Sequence, residues 1–251
     1  MVLFLTFFGH GLASLGFSEA SYNLHRQLFE SVNFFNWNAE GFLVVQGWWD
    51  VLMAIALLSG IFPRIVLPMA IVYLLMVSGV AYVYYFTKSG SWWGLAEIGR
   101  RMAWILYAAF LYFHATAQVS RYSLLRVGIS FGFLSHGITS LGYFGGRAGQ
   151  LALAAQIFPQ ETAQTIIFFS GFSDLILGSM LFTGWGSRPA AIAGTLWLVA
   201  VVFLSFMMGI PDGIFRSGFL FSCLYVAMDN RCHTPLLNGV AQRKSVVLNP
   251  K

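Results

Sequence analysis

Eight apolar runs, near residues 1–18, 41–62, 64–86, 99–119, 125–143, 164–184, 189–209 and 213–230, constrain this chain more than anything else in it. Each is about as long as the 17 to 25 residues that an α-helix needs to cross a bilayer. A backbone in hydrocarbon must satisfy its own hydrogen bonds, and no period-2 alternation supports a barrel, so the runs read as eight transmembrane helices. Composition agrees: 58% of the residues are hydrophobic and 9% charged, with a mean hydropathy of +0.72. Soluble domains carry roughly a quarter charged residues. An all-α integral membrane protein is the expectation. Met1–Phe17 lacks a basic leader and a small-residue cleavage site, so it reads as a retained first helix.

The runs fall into two sets. Phe8-Gly9-His10-Gly11-Leu12-Ala13-Ser14-Leu15-Gly16-Phe17 returns as Leu134-Ser135-His136-Gly137-Ile138-Thr139-Ser140-Leu141-Gly142-Tyr143. His10 and His136 are 126 positions apart, while Asp50 and Asp174, Gly60 and Gly184, and Arg64 and Arg188 are each 124 apart. Glu97 and Asp212, like Arg101 and Arg216, are 115 apart. The chain is a tandem duplication: a first four-helix unit over 1–124, a second over 125–230, and a cytoplasmic tail over 231–251. An even number of spans per unit gives the halves one orientation, related by a pseudo-two-fold axis along the membrane normal, so two similar four-helix bundles are expected. Ser18–Glu40 is polar and aromatic and reads as containing a short interfacial helix.

Lys and Arg counts set the orientation. The side with both termini holds Arg64, Arg121, Arg126, Arg188, Arg231, Arg243, Lys244 and Lys251, which places it in the cytoplasm. The long aromatic loops, including Ser91-Trp92-Trp93, then face outward. The net charge of +5 reports this asymmetry, and no basic run suggests a nucleic-acid partner. Cys223 and Cys232 have no zinc-ligand or dithiol spacing, so neither metal nor disulfide chemistry is expected.

Four of the nine acidic residues, Asp50, Glu97, Asp174 and Asp212, occupy matched positions in or at the edge of apolar helices. Ionisable groups at membrane depth are costly and mark functional sites. Glu97–Arg101 and Asp212–Arg216 each place acid and base four apart, on one face of a helix. Each half is therefore expected to gather a histidine, two carboxylates and an arginine in its outer half: His10, Asp50, Glu97 and Arg101 in one, His136, Asp174, Asp212 and Arg216 in the other. Such a set suits a quinone headgroup, an oxyanion or a proton relay. The competing reading is interhelical glue, worth on the order of 1 kcal/mol per contact. Ligation of haem or (bacterio)chlorophyll by His10 or His136 is the weaker cofactor alternative to quinone. His114, matched by Asp229, reads as a packing histidine.

These residues resemble the DoxX-like family of small four-helix membrane proteins. The likeness lies in His-Gly-x-x-x-Leu-Gly-aromatic on the first helix, in Gly47-Trp48-Trp49-Asp50 through Ser59-Gly60 to Arg64, and in Arg121-Tyr122-Ser123-Leu124. The second half repeats the first two signatures at His136–Tyr143 and Gly171–Arg188. The chain departs from the family pattern at Ser14 and Ser140, where a Lys is usual, at Asp50 and Asp174, where Glu is commoner, and at Leu125, where an Asp is usual. The resemblance implies association with membrane-bound oxidoreductases, including a thiosulfate:quinone oxidoreductase subunit, although the missing Lys argues against carrying that reaction across.

The expectation is therefore an accessory or quinone-associated subunit of a bacterial redox or energy-converting complex in the cytoplasmic (inner) membrane, partnered by lipid and by other membrane or redox subunits. The alternatives are a small-solute or proton-conducting transporter, and a structural subunit of a larger complex, with pigment binding as a variant. Independent catalysis is not expected, since the sequence has no nucleotide loop, cysteine cluster or soluble catalytic domain.

Overall fold

The computed structural model describes residues 1–31, 38–89, 93–115, 122–143, 147–155 and 157–233. Arg121, Trp92 and residues 234–251, which include Arg243, Lys244 and Lys251, lie outside the described residues, as does the side chain of Glu97. The described chain is all helical: α1 (Val2–Ser14), α2 (Glu19–Ser31), α3 (Ala39–Ser59), α4 (Pro63–Ser89), α5 (Trp93–Ala115), α6 (Ser123–Ser140), α7 (Arg147–Ala154), α8 (Gln160–Thr183), α9 (Ser187–Met208) and α10 (Ile210–Met228), then a 3₁₀ turn over Asn230–His233. Four helices, α3, α4, α8 and α9, are long and apolar enough to cross a membrane, and α1 is a shorter apolar helix of 13 residues.

The repeated Leu-Gly-aromatic ending explains why α1 is short. Gly16 and Gly142 both take left-handed backbone, with φ of 89° and 99°. At the first, the Gly16 and Phe17 amides donate to the carbonyls of Ala13 and Leu12, a Schellman closure that ends the helix and turns the chain into α2. The apolar run expected over 1–18 therefore stops being helical at Ser14. Gly60 and Gly184 end α3 and α8 in the same left-handed conformation, with φ of 67° and 85°. At the α3–α4 link Phe62 holds φ 48°, a conformation that its matched residue Gly186 adopts at φ 62°.

The buried apolar side chains form two clusters. One draws on Leu3 and Phe7 of α1, Met53 of α3, Leu74 of α4 and Trp104 of α5. The other draws on Ile129 and Phe133 of α6, Leu181 of α8, Leu198 of α9 and Val226 of α10, with Phe110 of α5. Phe219 joins them, its ring 5.7 Å from Trp104 and 5.5 Å from Phe133.

The helix neighbours are arranged in a way that the repeat alone does not disclose. α1 packs on α3 of its own half and on α10 of the other, and α6 correspondingly packs on α8 and on α5. Contacts of α1 with α5 and of α6 with α10 are slight by comparison. Gly9 is needed for the α1–α10 contact, since a Cβ there would lie 2.6 Å from the Phe215 amide nitrogen and 2.9 Å from the Pro211 carbonyl oxygen. The first and last α-helices among the described residues thus pack directly on one another.

Candidate functional site

Both histidines find the aspartate of their own half. His10 Nδ1 lies 2.6 Å from Asp50 Oδ2, and His136 Nδ1 lies 2.6 Å from Asp174 Oδ2. The two carboxylates are fully or almost fully buried. The adjoining glycines make the approach feasible. A Cβ on Gly11 would stand 2.9 Å from the Gly47 carbonyl oxygen, and one on Gly137 would stand 2.7 Å from that of Gly171. His-Gly on one helix and Gly-x-x-Asp on the next are therefore two sides of one contact: the glycines bring the backbones together, and the polar pair closes beside them. A histidine that shares its Nδ1 with a carboxylate keeps a defined tautomer and leaves Nε2 for a third group. The other oxygen of each carboxylate, Oδ1, is buried with no hydrogen bond from a described residue.

Around this shared core the two centres differ. In the first, His25 of α2 lies against His10 with ring centroids 4.4 Å apart, and its Nδ1 is 3.0 Å from Ser14 Oγ. Tyr73 of α4 is close enough to Asp50 for hydroxyl and carboxylate to interact, and it accepts a 3.1 Å hydrogen bond from Gln46 Nε2. Arg101 is within electrostatic reach of both His25 and Tyr73. Burial, then the neighbouring charges of His10 and Arg101, hold the His25 pKa well below the usual imidazole value. In the second centre α7 has no histidine, Trp197 stands at the position matched to Tyr73, and Ser170 at that matched to Gln46. There Arg100 Nη2 and Gln150 Nε2 donate to Thr139 Oγ1 at 3.3 and 3.2 Å. The His136 side chain is 37% exposed against 18% for His10.

Asp212 is not where the repeat predicts it. It accepts hydrogen bonds from Ser18 Oγ at 2.9 Å and Ser21 Oγ at 2.8 Å, so this second-half carboxylate meets the start of α2 in the first half. The reason is the interlocking of α1 with α10, which delivers the first turn of α10 to the end of α1. The expected gathering of Asp212 with His136 and Asp174 is corrected accordingly. Arg101 belongs with the first centre as expected, while its neighbour Arg100 serves the second. Arg216 lies one turn beyond Asp212 on α10. The expected Glu97 contact lies outside the described residues. Each histidine has its own centre, and the two do not face each other across one iron.

Arg126, counted in the sequence as a loop charge, is fully buried. Its guanidinium donates to the Leu181 and Phe182 carbonyls at the end of α8, where the helix dipole favours a cation. His114 is exposed and stacks on Phe110 with centroids 6.0 Å apart. Cys223 and Cys232 are free and buried, and His233 of the closing 3₁₀ turn pairs with Ser187 at 2.9 Å.

The first centre borders a groove. Between α3 and α4 an opening of about 570 Å³ is lined by Phe42, Val45, Trp49, Met69, Val72 and Met76, with Pro68 in its wall and Gln46 and Tyr73 as its polar residues. α3 and α4 touch less extensively than their counterparts α8 and α9. The sequence does not single out Gln46 and Tyr73, which line the groove, or His25, which lies against His10 and is bonded to Ser14. The signal was present for Gln46, four residues before Asp50 on the same helix face. Comparison of the chain with protein-family models, with curated proteins and with solved structures finds no match.

Proposed function

We propose that the first centre binds the headgroup of a lipophilic, carbonyl-bearing molecule of the quinone class, and that the protein serves as a quinone-associated subunit of a bacterial redox or energy-converting membrane complex. One observation carries the reading. An apolar groove between two membrane-compatible helices carries Gln46 and Tyr73, which lead to the buried Asp50–His10 pair. Quinone carbonyls accept hydrogen bonds, and the Gln46 amide and the Tyr73 hydroxyl are donors placed where a headgroup would arrive from lipid. An isoprenoid tail would lie along Val45, Val72 and Met76, which are 69%, 56% and 65% exposed. The DoxX-like pattern and its oxidoreductase association point the same way.

In this reading the eight main helices lie across the cytoplasmic membrane as two units of like orientation, with both termini cytoplasmic, an arrangement supported by the Lys and Arg distribution. The second centre, without a matching tyrosine or glutamine, is assigned to support.

The test uses the full chain purified into lipid nanodiscs and titrated with a short-tailed ubiquinone, bound quinone being read by its ultraviolet difference on reduction. Tyr73→Phe and Gln46→Leu, which remove one donor each, should weaken retention about tenfold, the equivalent of one hydrogen bond of about 1.4 kcal/mol, with the protein still folded. Equal quinone retention by wild type and both variants would reject the site.

A further inference from the structure

We propose that α2 makes the first centre a proton relay, in which His25, His10, Asp50 and Tyr73 carry a proton between water on the far side of α2 and an anionic oxygen of the ligand in the groove. The inference rests on the groove reading above and goes beyond it by assigning the site a second activity.

The order of the groups is the argument. His25 is half-buried, with exposed Asn23, Leu24, Arg26 and Gln27 beside it in the sequence of α2. Ser14, four residues after His10 on the same face of α1, holds the His25 ring through its hydroxyl, and the two imidazoles lie 4.4 Å apart. His10 shares Nδ1 with Asp50 at 2.6 Å, and Asp50 in turn meets Tyr73, which lines the groove. The second centre lacks His25 and Tyr73 at once, so both ends of the path are missing there together. Purely structural polar contacts would have no reason to continue to the groove on one side and to the surface on the other.

The transfers balance. A proton from water enters at His25, which gives one to His10. His10 passes its Nδ1 proton to the Asp50 carboxylate. Tyr73 gives its hydroxyl proton to the ligand oxygen and takes back the proton held by Asp50. Each protein group ends with the charge and number of protons it began with, the two imidazoles as the opposite tautomers, which ring rotation resets before the next transfer. The net change is one proton moved from water to the ligand. The titratable and charged groups of the packed elements are His10 of α1, Asp50 of α3, Tyr73 of α4, Arg101 of α5 and Asp212 of α10, the last held by Ser18 and Ser21, while Glu19, Arg26 and Glu30 on α2 itself are exposed. With His25 neutral at neutral pH, its ring is able to accept a proton from the surface.

The experiment loads the full chain in nanodiscs with a 2-hydroxy-3-alkyl-1,4-naphthoquinone, an acidic quinone that is yellow when neutral and orange-red as its anion, and follows the anion band after a stopped-flow pH drop. Wild type should bind the probe and bleach it fast. His25→Gln should hold the probe and bleach it at least tenfold more slowly; Tyr73→Phe, read at a probe concentration raised to offset its weaker retention, should bleach as slowly; added imidazole should restore the rate in His25→Gly, and the exposed Asn23→Ala should match wild type. Probe held by His25→Gln and bleached at the wild-type rate overturns the relay while leaving the groove reading intact. Failure of wild type to hold the probe removes both. Should His25→Gln lose its fold, Ser14→Ala, which keeps both rings, is read in its place, and an unchanged rate there overturns the relay.

Discussion

At the scale of single residues, the chain places charge where lipid-embedded helices rarely tolerate it and compensates locally. Asp50 and Asp174 each take a histidine at 2.6 Å, and Arg126 takes two helix-terminal carbonyls. Breaking such a buried pair leaves an uncompensated group, which costs more than the pair itself contributes. His25 has a measurable consequence of its own. Because its folded-state pKa lies below the usual value near 6.5, the unfolded chain binds a proton that the folded chain refuses as pH falls through that value. Stability is complete above it and declines toward the lower folded pKa. Thermal melts of the protein in detergent between pH 8 and pH 5 should show this loss, and His25→Gln should flatten the curve. An equal acid loss in the variant would assign the effect elsewhere.

At the scale of elements, the glycines decide how close the helices come and therefore whether the histidines find their aspartates. Gly11 and Gly137 each face a glycine carbonyl in the next helix of the half at a distance that leaves no room for a methyl group. Gly11→Ala and Gly137→Ala should each destabilise the fold by about 1–3 kcal/mol through overpacking, since the obstacle is backbone and not a flexible side-chain tip. Unfolding in graded SDS measures this. Gly79, which has open space around it, is the comparison, and Gly79→Ala should cost nothing or add slightly to stability. A Gly11→Ala protein as stable as Gly79→Ala would mean that α1 and α3 are not in close contact.

At the scale of the whole molecule, the interlocking of α1 with α10 and of α6 with α5 makes the halves interdependent. Asp212 of the second half reaches Ser18 and Ser21 of the first, although 194 and 191 positions separate them. Paired Ser21→Cys and Asp212→Cys substitutions should cross-link in membranes with a short bis-maleimide, seen as a mobility shift after cleavage of the chain between the halves. Asp174→Cys in place of Asp212→Cys should not cross-link to Ser21→Cys. Failure of both pairs to cross-link would restore two self-contained bundles, with each carboxylate on the histidine of its own half.

By itself the sequence determined the helical character of the chain and the matched spacing of its histidines and aspartates. Apolar runs leave a backbone in hydrocarbon no choice but helix, and offsets of 126 and 124 carry each His-Gly and Gly-x-x-Asp pair together. The tertiary structure decided the rest. Asp212 and Arg101 were legible as ionisable groups at helix entrances, but their destinations depend on which helices adjoin, and a repeat reads the same whether its units close separately or interlock. Tyr73, Gln46 and His25 were invisible as a set because they come from three helices, and only packing brings them to one place. The same holds for the groove, which exists because α3 and α4 stay further apart than α8 and α9, a difference that no single residue states.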